Sequence, residues 1–128
     1  MSYHFSKTLN GSWEDVRSKV EGALKEEGFG IITEIDMKAT LKKKLDVDFR
    51  PYVILGACNP NFAHQALQAE SHIGMMLPCN VIMQESKDGG VEVSAVDPLA
   101  SMQAIENSSL TEVATQVHAK LKRFIDSL

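Results

Sequence analysis

Cys79-Asn80-Val81-Ile82-Met83-Gln84-Glu85, the turn Lys87-Asp88-Gly89-Gly90, and Val91-Glu92-Val93-Ser94-Ala95-Val96 form the stretch on which the fold turns. Paired glycines between two apolar-rich runs predict a β-hairpin, because glycine reaches the positive φ values that tight hairpin turns require. Val91, Val93 and Ala95 alternate with polar neighbours, which gives the returning strand an inner face.

Upstream, Pro51-Tyr52-Val53-Ile54-Leu55-Gly56-Ala57-Cys58 is almost wholly apolar and reads as a central strand covered on much of both faces. Asn59-Pro60 then opens a helix, with Asn59 as its cap and Pro60 at the first helical position. Phe62, Ala63, Ala66 and Leu67 supply its packing stripe, and Ile73 to Pro78 closes the excursion. Nearer the amino terminus, Tyr3, Phe5 and Leu9 face one way, His4, Ser6 and Thr8 the other, as in a half-buried strand. Ser12 and Asp15 approximate a capping box for a helix carrying Trp13, Val16, Val20 and Leu24, and Gly28 stops it. Phe29, Ile31, Thr33 and Ile35 restore the strand period. Asp36 caps a short helix with Met37, Leu41 and Leu45 on one side, its lysines forming a solvated face.

Downstream of the hairpin, Asp97-Pro98 repeats the cap-then-proline device before Leu99 and Met102. Ser109 and Glu112 read as a capping box for the final helix, whose stripe is Leu110, Val113, Val117, Leu121, Phe124 and Leu128. Lys120, Lys122 and Arg123 sit near its C-terminal end, where the helix dipole favours cations. The expected fold is a single α+β domain over residues 1–128. Its order is strand, long helix, four strands, long helix, with helical excursions after the second, third and fifth strands. Two long amphipathic helices cover one face of a mostly antiparallel sheet. Ile54, Ile82 and Val96 suggest an apolar second face, which must be covered by the excursion helices, a second subunit or a ligand.

Composition removes several function classes. The chain has 128 residues, with 13 Lys plus Arg against 17 Asp plus Glu, a formal charge of -4. An acidic balance gives no bulk electrostatic grip on nucleic acid or an anionic membrane. No apolar run approaches the ~20 residues that span a bilayer. The stretch Met1-Ser2-Tyr3-His4-Phe5-Ser6-Lys7 lacks the pattern of a secretion signal, so the expected location is cytoplasmic. There is no GxSxG, HExxH, GxxxxGK[ST] or GxGxxG. Gly28-Phe29-Gly30 runs from helix to strand, the wrong order for a dinucleotide loop. Met75, Met76, Met83 and Met102 read as core filling rather than soft-metal ligands.

Chemistry is best sought at the two cysteines. Cys58 ends one strand and Cys79 begins the next, each beside an asparagine and a proline. Antiparallel pairing of those strands brings the thiols to one sheet edge. Their spacing is neither a CxxC pair nor a recognised zinc pattern, and two reduced, buried cysteines acting as small hydrophobes are the plain alternative. The helix opened by Asn59-Pro60 starts one residue after Cys58, and such a terminus lowers a nearby thiol pKa. His72, at a helix end, is able to swing toward Cys79, so Cys58, Cys79 and His72 form a candidate set for zinc or copper. His64 reads as solvent-facing, His118 as packing or surface, and His4 as lying on the polar side of its strand.

Three stretches together, Leu55-Gly56-Ala57-Cys58-Asn59-Pro60, Leu77-Pro78-Cys79-Asn80-Val81, and Val96-Asp97-Pro98 with Met102, resemble the bacterial and archaeal family catalogued as domain of unknown function 302. The resemblance covers essentially the whole chain. It implies a β-α-β(4)-α arrangement similar to the TATA-binding-protein-like fold class, often as a homodimer, and it implies no activity. No catalytic residue or cofactor follows from it. The motif positions it marks are Cys58, Asn59, Pro60, Pro78, Cys79, Asn80, Asp97 and Pro98. The expected function is a homodimeric module that binds a small molecule or metal near Cys58 and Cys79. The competing expectations are a thiol-dependent redox enzyme and a purely structural or interaction domain.

Overall fold

The computed structural model describes residues 2–128; Met1, the first residue of the stretch read for a leader, lies outside them. Five strands, β1 (His4–Leu9), β2 (Gly30–Asp36), β3 (Tyr52–Cys58), β4 (Cys79–Glu85) and β5 (Val91–Val96), form one sheet in the order β1-β5-β4-β3-β2. Every pairing is antiparallel. Five helices intervene: α1 (Trp13–Glu26), α2 (Met37–Leu45), α3 (Pro60–Ala69), α4 (Pro98–Ser101) and α5 (Ser108–Ser127). A 3₁₀ segment, Ser71–Met76, follows α3. The expected element order is therefore present, with each excursion where the sequence put it. Among the described residues no helix is long and apolar enough to cross a membrane.

The hairpin closes as the glycines require. Gly89 adopts φ 91°, and Ser86 N–H donates to the Gly90 carbonyl at 2.7 Å. The inner face carries Val53, Leu55, Ala57, Val81, Met83, Val91, Val93 and Ala95, all buried. Against it lie Val16, Val20 and Leu24 of α1 and Val113, Val117, Leu121 and Phe124 of α5. Burying each such side chain contributes roughly 1.5–3 kcal/mol, so this one layer dominates the stability.

One helix start and one cap bond differ from the sequence reading. Helix α5 begins at Ser108, not after Ser109: Asn107 is its cap, accepting from Ser109 N–H and Leu110 N–H, while its Nδ2 donates to the Ala69 carbonyl at 2.8 Å. Asn107 thereby serves α5 and the end of α3 at once, its Oδ1 accepting from the helix while its separate Nδ2 reaches the other carbonyl. Asn59 makes no side-chain cap for α3, a point that matters below.

The second sheet face is only half apolar. Ile35, Ile54 and Ile82 lie in one cross-strand row, but the row continues into Ser94 and Ser6. There the polar side chains satisfy one another. His4 Nδ1 meets Ser6 Oγ at 2.7 Å, Ser6 meets Ser94 at 2.7 Å, and Glu92 Oε1 accepts from Ser94 and from Gln84. Arg50 reaches Gln84 Oε1 at 3.0 and 2.8 Å and lies over the rings of Phe49 and Tyr52. Helix α2 packs against β2 and β3, and Ile35 remains 46% exposed.

Candidate functional site

The site is a cavity of about 380 Å³ between α3, α5, α4 and one end of the sheet. Two local devices build its rim. Helix α1 ends in a Schellman motif: Gly28, at φ 84°, donates to the Lys25 carbonyl, and Phe29 N–H donates to the Leu24 carbonyl at 2.9 Å. That turn aims Phe29 into the cavity wall. Asn59 Nδ2 donates to the Glu27 carbonyl at 3.3 Å, tying the start of α3 to the same turn. A Cβ at Gly28 would lie 2.9 Å from Asn59 Nδ2.

Register supplies the second device. Ala57 lies opposite Cys79, and Gly30 opposite Cys58. The last residue of β3 and the first residue of β4 are therefore neighbours, as adjacency of the two strands requires. Pleat alternation puts the side chains of Cys58 and Cys79 on opposite faces of the sheet, and both residues are among those lining the cavity at the strand ends. Pro78 packs over Gly56, where an added Cβ would overlap Thr33 Oγ1 and sit 2.7 Å from the Pro78 ring.

Of the residues singled out from sequence, Cys58, Asn59, Pro78, Cys79 and Pro98 line the cavity. Pro60, Asn80 and Asp97 do not. Pro60 is exposed in the first turn of α3. Asn80 is exposed because the residue after inward-facing Cys79 points to the other face. Asp97 caps α4 through Leu99 N–H at 3.0 Å and holds His118 Nδ1 at 2.7 Å, with the imidazole edge-on to Phe5.

His72 does not join the cysteines. Its side chain is 81% exposed and its Nδ1 sits 3.3 Å from Glu70 Oε1, whose carboxyl is held below the usual range by hydrogen bonds from His72. The Glu70 carboxylate accepts from His72 N–H as well, which anchors the residue away from Cys79. Among the described residues no three His, Cys, Asp or Glu side chains gather where they could hold a metal ion.

The remaining wall comes from Phe62, Ala63, Ala66 and Leu67 of α3, Leu110, Val113, Ala114 and Val117 of α5, and Met102 after α4, with Ile32, Ala57, Gly74 and Leu77 beside them. Sequence periodicity marked most of these as core stripe; it carried no sign that the stripes leave a gap. Among the described residues no Lys, Arg, Asp, Glu or His lines the cavity, and its few polar residues are Cys58, Asn59 and Cys79. Burial, with the nearby Cys58, pushes the Cys79 thiol up to about 11. Cys79 is thus a neutral thiol at physiological pH, the reverse of an activated nucleophile. Both cysteines are free.

A small antiparallel α+β domain with an uncharged, thiol-bearing cavity at one sheet end is the class that fold and site define. Residues 5–128 match the family model described as domain of unknown function DUF302, and the chain belongs to that family. Its structure is similar to the crystal structure of the uncharacterized conserved protein DUF302 from Bacillus stearothermophilus, with a TM-score of 0.90 and 25% sequence identity over 98% of each chain. No curated protein matches the chain.

Proposed function

We propose that the protein is a binding module for a small, uncharged, largely apolar molecule seated in the cavity between α3, α5 and the Cys58/Cys79 end of the sheet. The observation that carries this reading is the lining: a half-open pocket of about 380 Å³ walled by apolar side chains, with no charged group among the described residues that line it. Ligand sites of roughly 300–1,000 Å³ are lined mainly by hydrophobic residues with a few polar groups for orientation. Here the orienting groups are Asn59 and the two thiols. A charged ligand would lose hydration against this wall and find no oppositely charged partner in it, which is unfavourable. The raised Cys79 thiol disfavours a redox enzyme that depends on a thiolate at that position.

A second copy of the chain is the proposed cover for the row Ile35, Ile54 and Ile82 on the opposite sheet face; sedimentation equilibrium of wild type against Ile35→Asp tests it, with a dimer that the substitution dissociates expected and a wild-type monomer contradicting it.

The ligand reading is tested with N-phenyl-1-naphthylamine, a neutral fluorescent hydrophobe. Saturable binding of one dye per chain is expected, weakened at least tenfold by Ala63→Phe, which fills the cavity from a half-buried position on α3. Absence of saturable binding, or equal binding by the filled variant, contradicts the reading.

A further inference from the structure

We propose that Met102 is an end wall of the cavity and sets how long an unbranched, neutral alkyl chain the protein admits. The inference rests on the apolar-ligand reading and names the class of ligand within it. Beside the main cavity lies a second space of about 230 Å³, and Met102, Leu110 and Ala114 line both. These residues therefore form the partition between the two. The second space is completed by Leu99, Gln103, Ile105 and Thr111, so among the described residues no charged side chain lines it either. On α5 the main cavity takes in Val113 and Val117, and the second space takes in Thr111. The two thus lie on adjacent sides of the first turns of that helix, about Leu110 and Ala114.

Of the partition residues, Met102 is the one fitted to gauge length. Leu110 is 1% exposed in the first turn of α5 and belongs to the main core, and Ala114 carries only a methyl group. Met102 stands in the turn that ends α4, and its backbone is held from both sides. Its N–H donates to the Pro98 carbonyl and its carbonyl accepts from Ile105 N–H, each at 3.0 Å. A substitution there changes the side chain and leaves those bonds in place. The side chain itself is buried and unbranched, with three rotatable bonds. The gap it fills has the cross-section of a single chain, so what takes its place is a chain and not a ring. A chain lengthening along the main cavity buries more apolar surface with each methylene until it meets the thioether. Past that point each further methylene stays in water or displaces a packed side chain, and affinity stops rising.

The test is displacement of N-phenyl-1-naphthylamine from the full chain by straight-chain primary alcohols, 1-hexanol to 1-tetradecanol. In the wild type, affinity is expected to rise about fourfold per added methylene and then to level off at a length inside the series. Met102→Ala removes the side chain beyond Cβ, so its rise is expected to continue for about three methylenes more. Met102→Leu, close in volume, is expected to keep the wild-type limit. Met102→Val removes less packing and is expected to move the limit by about two methylenes; it carries the test if thermal melts show the alanine variant unfolded. Cyclododecanol is expected to bind more weakly than 1-dodecanol. With dye bound, a limit unchanged in Met102→Ala and Met102→Val overturns this inference alone. So does wild-type affinity that climbs without levelling, or a preference for the ring. Dye that fails to bind saturably overturns the cavity reading, and this inference with it.

Discussion

Asn59 Nδ2 donates to the Glu27 carbonyl oxygen at 3.3 Å, joining the first turn of α3 to the last turn of α1 across 32 residues of chain. An asparagine placed to cap its own helix is used instead to hold another helix's end, and with it the rim of the cavity. Asn59→Ala is expected to cost about 1 kcal/mol, because it leaves a partly buried carbonyl without its donor. Gly28→Ala is expected to cost more, at least about 1–2 kcal/mol, since the added Cβ meets both a left-handed backbone and Asn59. Urea denaturation of the two single variants and the double variant measures this, and the pair is expected to be non-additive.

Gly56 makes a different kind of demand. Its φ is ordinary, but Thr33 and Pro78 occupy the space a side chain would need. Gly56→Ala is expected to destabilise by about 1–3 kcal/mol, the range for overpacking, with partial recovery in Gly56→Ala Thr33→Ser only if the backbone shifts, and greater recovery with Thr33→Ala. Thermal melts of the series are the check.

Asp97 and His118 form a half-buried pair at 2.7 Å, with Asp97 also capping α4. Asp97→Ala removes the cap and the partner and is expected to cost about 1–2 kcal/mol. Asp97→Asn keeps an accepting oxygen for Leu99 N–H and is expected to cost less. A double-mutant cycle with His118→Ala is expected to yield coupling of about 1 kcal/mol.

Cys79 gives a pH prediction with a definite sign. Its thiol is raised from 9.0 to about 11, mainly by burial and secondarily by Cys58. The folded chain therefore holds this proton more tightly than the unfolded chain. The resulting stabilisation is complete below the unfolded value and is lost as pH rises through about 11. Wild type minus Cys79→Ala stability, measured by denaturation under reducing conditions, is expected to shrink by roughly 2 kcal/mol between pH 8 and 11. A difference independent of pH contradicts the assignment.

The fold was legible where a residue's role depends on its neighbours in sequence. Alternation at Val91, Val93 and Ala95, the stripe from Leu110 to Phe124, and the caps at Ser12, Asp36 and Asp97 are local signals, and the structure keeps them. The errors fall where a side chain finds a distant partner. Asn59 turns to Glu27 and Asn107 to Ala69; His118, read as packing or surface, does pack on Phe5 and adds a bond to Asp97. Likewise Ser94, on a strand face read as apolar, is buried by bonding to Ser6 and Glu92. Pairing of the strand that Cys58 ends with the strand that Cys79 begins followed from strand order, but the cavity itself did not: whether facing stripes close or leave a gap depends on interhelical spacing, which periodicity does not encode.

Xenon is the most direct probe of the central claim, because an apolar cavity stays dry and takes up the gas, whereas a polar one holds ordered water. Diffraction from crystals pressurised with xenon is expected to place the atom among Phe62, Val113 and Met102, beside the two thiols. Ordered water filling that space, or side chains closed over it with no xenon bound, would contradict the account.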